Sequence, residues 1–262
     1  MNLNIDNKLA LVTGSTKGIG LAIATALAGE GARVIVNGRT ENSVAQAAAK
    51  ILSKHSKAKL ESFAGDLSNA ETVAALVGTF PEVEILVNSL GIFEAKPFAE
   101  ITDADWRRFF DVNVLSGVRL SRAYFGGMLR RNWGRIVFIS SESALQIPAE
   151  MIHYGMTKTA VVAVARGLAE LTAGSQVTVN SILPGPTHSD GVNEFVHQLS
   201  GGQSFADFEQ EFFKSVRPTS LLKRFATPEE VASLVAYVCS SLSSATNGAA
   251  LRVDGGVVKS AF

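Results

Sequence analysis

The chain of 262 residues predicts an α/β domain built on a doubly wound parallel sheet. Three observations carry that prediction. Short apolar runs alternate with longer helical patterns along the chain. The runs are continuously apolar, as strands covered on both faces require. A glycine-rich turn follows the first run and opens the first helical pattern.

The elements follow in order. Leu9-Ala10-Leu11-Val12 reads as the first strand, and 18–29 as the first helix. Val34-Ile35-Val36, Ile85-Leu86-Val87, Ile136-Val137-Phe138-Ile139 and Val177-Thr178-Val179 read as further buried strands. Helical patterns at about 41–54, 69–79, 103–131 and 153–173 lie between them. Another helix, near 228–240, opens with Thr227-Pro228-Glu229-Glu230. Thr227 suits the N-cap, Pro228 the first helical position, and the acids the positive end of the dipole. A last strand near 249–253 ends at Asp254-Gly255-Gly256. Only 188–223 breaks the alternation. There Val192, Phe195, Val196 and Leu199, then Phe205, Phe208, Phe212 and Phe213, predict two short amphipathic helices around Gly201-Gly202. With no linker and no repeat, the whole of 1–262 reads as one domain with an insertion at about 188–223.

Composition narrows the function classes. Twenty-four Lys and Arg balance 24 Asp and Glu. That argues against nucleic acid or an anionic membrane as the main partner. Cys239 is the single cysteine, which excludes an intrachain disulfide and suits a reducing cytoplasm. Met1 to Asp6 lack the basic and apolar regions of a signal peptide. The apolar stretches are too short to span a membrane. His55, His153, His188 and His197 lack metal-ligand spacing, so no metal is expected. His153 and His188 flank expected site loops and could line the substrate pocket, although polar loop or cap roles suit them better. Glu142 and Glu94 could likewise face the substrate, although solvated side chains suit them better.

Chemistry enters at two motifs. In Thr13-Gly14-Ser15-Thr16-Lys17-Gly18-Ile19-Gly20, glycines permit a tight turn and close approach of backbone to a pyrophosphate. The spacing is G-x-x-x-G-x-G, not the usual G-x-G-x-x-G. The second strand then runs into Asn37-Gly38-Arg39. An NAD site places an acid about here for the ribose 2′-hydroxyl. Gly38 removes that carboxylate, Arg39 offers a fork for a 2′-phosphate, and Lys17 adds a second cation. These residues favour NADP(H) over NAD(H).

The second motif is Tyr154-x-x-x-Lys158 on an apolar helix, with Ser141 upstream. A spacing of four puts both side chains on one helical face. A phenol is a poor acid or base at neutral pH, and bringing its pKa from about 10 to about 7.5 needs roughly 3.4 kcal/mol. A cation about 4 Å away supplies about 4 kcal/mol at an effective dielectric near 20. Lys158 is therefore expected to make Tyr154 a usable proton carrier.

Taken together, these motifs resemble the compact single-domain branch of the short-chain dehydrogenase/reductase family. The resemblance covers Lys8 to about Val258 and implies a Rossmann-type sheet of seven parallel strands. It assigns Asn113, Ser141, Tyr154 and Lys158 as the catalytic group. It implies cofactor contacts at Gly14, Ser15, Thr16, Lys17, Gly18, Ile19, Gly20, Gly38, Arg39, Asp66, Leu67, Asn88 and Gly91. Tyr154, Lys158, Pro184, Gly185, Thr187 and Ser189 complete that cofactor set. Substrate contacts are expected at Ser141, Ser143, Tyr154, His188 and Phe195. Ser89 and Leu90 depart from the family's Asn and Ala, and Ser189 from its frequent Thr.

In this resemblance Ser141 polarises a substrate carbonyl and Tyr154 moves a proton. Lys158 holds the nicotinamide ribose, and the Asn113 backbone carbonyl holds a water. The segment 188–223 is expected to close over substrate, with its phenylalanines either lining the pocket or packing onto the protein. The reading is an NADP(H)-dependent carbonyl/alcohol oxidoreductase, similar to 3-oxoacyl-carrier-protein reductases. Arg130, Arg131 and Arg135 are candidates for meeting an acidic carrier protein, but Ala173-Gly174-Ser175-Gln176 lacks the Arg such reductases often place there. A carrier-protein reductase and a non-catalytic dinucleotide sensor stand as alternatives. Val161, Val162, Val164, Ala165, Leu168 and Leu171 give the catalytic helix a second apolar face, so a homotetramer or homodimer is expected.

Overall fold

Apolar side chains on both faces of the strands put the sheet in the middle of the molecule. The computed structural model describes residues 2–189 and 204–261. The strands are β1 (Leu9–Val12), β2 (Arg33–Gly38), β3 (Lys59–Ala64), β4 (Ile85–Asn88), β5 (Gly134–Ile139), β6 (Val177–Pro184) and β7 (Ala250–Val253). They form one parallel seven-stranded sheet in the order β3-β2-β1-β4-β5-β6-β7. This is the Rossmann-type arrangement. Strand order reverses between β1 and β4, so a crevice opens beyond their C-terminal ends.

The side-chain period of two splits each strand between two cores. Ala10, Val12, Val34, Val36, Ile85, Val87, Val137 and Ile139 face one cluster. Helices α1 (Gly18–Gly29), α2 (Glu41–Lys54) and α8 (Pro228–Cys239) cover that face. Leu11, Ile35, Leu86, Ile136 and Phe138 face the other. It is covered by α3 (Ala70–Thr79), α5 (Ser116–Arg130) and α6 (Ile152–Glu170). Helix α4 (Asp103–Phe110) precedes α5. The expected N-terminus of α8 is a full capping box. Thr227 accepts from the Glu230 amide, and Glu230 accepts from the Thr227 amide. Among the described residues no helix is long and apolar enough to cross a membrane.

Three elements differ from the sequence reading. No apolar run announced β3, because it is an edge strand whose side chains are all half-buried or exposed. The expected helix 103–131 is interrupted by a π turn at Asp111–Leu115, which separates α4 from α5 and carries Asn113. In 188–223, the phenylalanine-rich half forms α7 (Phe205–Glu211) and a π turn at Phe212–Val216. The other expected helix, with Phe195 and His197, lies outside the described residues.

The described phenylalanines of that segment pack onto one another and onto the protein. Phe205, Phe212 and Phe213 surround Phe225 with ring centroids 5.7, 5.0 and 5.2 Å away. Phe213 and Phe225 are buried. Aromatic burial of this kind anchors α7 to the strand-end loops.

Arg135 corrects an expectation. It was a candidate for a basic surface, but it is 2% exposed. Its guanidinium donates to the carbonyls of Ser240, Gly134 and Gln176 at 3.0, 2.9 and 2.8 Å. Trp133 lies over it, its ring centroid 4.8 Å from Cζ. Arg135 therefore ties β5 to the end of α8 and to the turn before β6, and it cannot meet a partner. Arg135→Ala should strand three carbonyls, each costing about 1 kcal/mol or more if water does not reach it. Urea denaturation is expected to show a loss of about 3 kcal/mol.

Candidate active site

The C-terminal ends of β1, β4, β5 and β6 deliver the candidate residues to one edge of the sheet. The turn after β1 is held from below by Asn37, a residue the sequence reading passed over. Asn37 Oδ1 accepts from the Gly14 amide at 3.1 Å, and Nδ2 donates to the carbonyls of Phe63 and Gly65. Ser15 Oγ accepts from the Asn37 amide at 2.9 Å. Ser15 is therefore buried in the support of the turn, not turned toward a ligand. Thr13 Oγ1 accepts from the amides of Ser89 and Leu90, both at 2.9 Å. The unusual Ser89-Leu90 pair is thus held by its backbone, which does not depend on its side chains.

These residues fit a dinucleotide. Gly14 and Gly18 have φ of +62° and +56°, which favour glycine. A Cβ on Gly20 would lie 2.5 Å from the Gly14 carbonyl oxygen. The first turn of α1 holds no acid, and Lys17 at its N-cap makes no side-chain cap hydrogen bond. Its amides and dipole therefore suit a phosphate. Arg39 and Lys17 are both exposed beside this turn. Gly38 is buried under Thr16, whose Cγ2 would clash with any Cβ there.

Other expected cofactor residues take structural roles. Leu67 is in the core, so only its backbone can face a ligand. Asp66 Oδ1 accepts from the Ser68 amide at 2.9 Å. Asn88 Nδ2 points to Ser121 on α5, at 3.3 Å. Ile19 packs against the core. Pro184 ends β6, and a Cβ on Gly185 would meet the Asp254 backbone. Thr187 is buried, with its hydroxyl on the Gly185 carbonyl. Ser189 lies against Gly18. A Cβ on Gly91 would lie 3.4 Å from both Lys158 Nζ and Asn113 Oδ1, so Gly91 faces the reactive end.

The catalytic candidates converge. Ser141 follows β5, Tyr154 and Lys158 lie on α6, and Ser141 stands near enough to Tyr154 to favour its phenolate. Asn113 clamps the site: Oδ1 accepts from the Ile92 amide at 2.7 Å, and Nδ2 donates to the Ile92 carbonyl and Thr157 Oγ1 at 3.0 Å. The π turn widens the helix at this point, a device common at functional sites. The Ser143 amide donates to Ser141 Oγ at 3.1 Å.

The electrostatics depart from expectation. Lys158 Nζ donates to the Ile139 carbonyl at 3.0 Å and stands 5.5 Å from the Tyr154 ring centroid. Burial pushes Lys158 down to about 8. Burial, reinforced by Glu142, raises Tyr154 well above the usual phenol range; Ser141 and Arg217 oppose this only in part. The expected depression by Lys158 is not what sets Tyr154, because desolvation exceeds a cation held at this distance.

Three further readings change. Glu142 is buried, not solvated, and pairs with Arg217 at 3.3 Å. His188 is exposed and stacks on Phe205, with centroids 4.3 Å apart. With Ser189 it lines a groove against Gly18, Thr25, Lys50 and Glu229, on the glycine-turn side. His153 is wholly buried against Phe109 and Trp106, with no hydrogen-bond partner for either nitrogen. Among the described residues no cluster of His, Cys, Asp and Glu could hold a metal ion.

Comparisons with known proteins follow this geometry. A family model described as enoyl-(acyl carrier protein) reductase matches residues 14–258. The chain is 48% identical to the uncharacterized oxidoreductase YvaG of Bacillus subtilis, over 100% of both chains. It is 30% identical to the 3-oxoacyl-[acyl-carrier-protein] reductase FabG of Aquifex aeolicus, over 98% of this chain and 100% of that one. Among solved structures, L-sorbose reductase from Gluconobacter frateurii, complexed with NADPH and L-sorbose, superposes with a TM-score of 0.90. Its identity is 30%, over 99% of this chain and 100% of that one.

Burial lowers the pKa of His153, partly offset by Glu94 and Asp105, while Lys96 and Arg108 lower it further. The unfolded chain then binds the proton that the folded chain refuses. Stability is full above about 6.5 and is lost as pH falls below that value, by up to about 1.4 kcal/mol per pH unit. His153→Leu should remove this loss, because neither ring nitrogen leaves a partner behind. Denaturant titrations of both proteins at pH 7.5 and 5.5 measure it.

Proposed function

The chain belongs to the short-chain dehydrogenase/reductase family, and from that premise we propose that this oxidoreductase is an NADP(H)-dependent carbonyl/alcohol oxidoreductase. One observation carries the reading. Asn113, Ser141, Tyr154 and Lys158 meet at the sheet edge that also presents the glycine turn. Bound nicotinamide supplies or accepts the hydride.

The chain's own groups do the rest. The Ser141 hydroxyl, which donates to Glu142 in the structure, turns its single proton to the substrate carbonyl oxygen and fixes it. Tyr154, kept protonated by burial, gives that oxygen its proton during reduction. Lys158, itself buried, holds ribose hydroxyls. Asn113 keeps the loop after β4 and helix α6 in register, so Gly91 and Lys158 stay opposed. Arg39 and Lys17 receive the 2′-phosphate, a preference supported by the NADPH complex of L-sorbose reductase. Thr187 and Ser189 stand by as hydroxyl contacts.

The FabG relatives make a carrier-protein thioester a second substrate reading, but burial of Arg135 weakens the basic surface it needs. Half-buried Val164 and Leu168, with Leu171 65% exposed, support self-association through α6, as a homotetramer or homodimer in the cytoplasm.

Tyr154→Phe is expected to keep NADPH binding, seen by fluorescence titration, and to lower ketone turnover at least about a hundredfold. Undiminished turnover would exclude the proton-transfer role. Arg39→Asp should move the NADPH/NADH ratio of kcat/KM toward NADH by about tenfold or more, the loss of one charged hydrogen bond. A wild-type enzyme that already prefers NADH would refute the 2′-phosphate assignment.

A further inference from the structure

A buried ion pair stands beside the catalytic hydroxyls, and the proton and hydride steps make no use of it. Glu142 directly follows Ser141, and its side chain is 6% exposed. One carboxylate oxygen accepts from Ser141 Oγ and the other from Arg217 Nε at 3.3 Å. Arg217 follows the π turn at Phe212–Val216, and its side chain is 13% exposed. A second nitrogen lies 3.6 Å from Glu150 at the approach to α6. Glu142 and Arg217 also act electrostatically on Tyr154, with opposite signs. Both charges therefore border the place where a substrate reaches Ser141 and Tyr154.

A buried pair of charges is expensive to desolvate, and hydrophobic residues of similar size would serve stability as well. A carboxylate only accepts hydrogen bonds, with about four lone-pair sites on its two oxygens. Ser141 and Arg217 account for one each. A substrate methylene or acyl chain placed here would waste the remaining acceptors. A substrate hydroxyl next to the reacting carbonyl would use them.

We propose that Glu142 and Arg217 form the polar wall of the substrate site and select carbonyl compounds that carry a hydroxyl on the adjacent carbon. In the reverse direction the substrate is a vicinal diol. Glu142 accepts the neighbouring hydroxyl, and Arg217 holds the carboxylate in place. The proposal rests on the carbonyl-reduction reading above and names its substrate class.

The test compares kcat/KM with NADPH for hydroxyacetone against butanone, and 2-hydroxycyclohexanone against cyclohexanone. The hydroxyketone-to-ketone ratio is measured for the wild type, for Glu142→Gln, and for the double variant Glu142→Leu with Arg217→Met. The double variant removes both charges together, so no buried charge is stranded. Comparing ratios between proteins cancels the intrinsic reactivity of each ketone. The wild-type ratio is expected to exceed that of the double variant at least about tenfold, with Glu142→Gln between them. If the double variant does not fold, the Glu142→Gln ratio decides alone. Equal ratios in wild type and variants, with ketones still reduced, overturn the proposal and leave the oxidoreductase reading standing. No NADPH oxidation by the wild type with any of the four ketones overturns both.

Discussion

Every strand of this sheet points the same way, and the site depends on that constraint. Parallel pairing brings the C-terminal ends of β1, β4, β5 and β6 to one edge. The glycine turn, Gly91, Ser141 and Gly185 each come within three residues of a strand's C-terminal end, so they share that edge. The reversal of order between β1 and β4 opens the crevice there. Helix α6 then brings Tyr154 and Lys158 from the opposite side of the chain's path, and the Lys158 bond to the Ile139 carbonyl ties it to β5.

Rigidity at this edge comes from small polar groups turned inward. Asn37, Thr13 and Asn113 each bridge segments distant in sequence, and each bonds main-chain groups. Backbone amides and carbonyls at strand ends need partners once buried. Short amides and hydroxyls meet that need without filling the crevice. The π turn serves the same end, because it lets Asn113 reach both Ile92 and Thr157.

Burial also sets the chemistry. Removing water raises Tyr154 and lowers Lys158, so both move toward their neutral forms. A phenol held neutral is a proton donor, which agrees with reduction of a carbonyl. Glu142 and Arg217 pair in the same region, 3.3 Å apart. Ser141 and Glu142 after β5, with Arg217 from the far side of the chain, join a hydroxyl, a carboxylate and a guanidinium in a single hydrogen-bonded run.

The sequence by itself determined the layers and the motif positions. Short continuous apolar runs between turns suit strands covered twice, and a glycine turn between strand and helix suits a phosphate. Tyr154 and Lys158 share a helical face by spacing alone. β3 stayed hidden because an edge strand needs no apolar run. Arg135, Glu142 and His153 were misread because charge and polarity in a sequence suggest exposure, whereas only the fold reveals a buried partner or an apolar cage. The direction of the Tyr154 shift was likewise decided by tertiary structure. Spacing gave the Lys158 neighbour, but desolvation depends on everything packed around the ring, and that is a property of the folded chain.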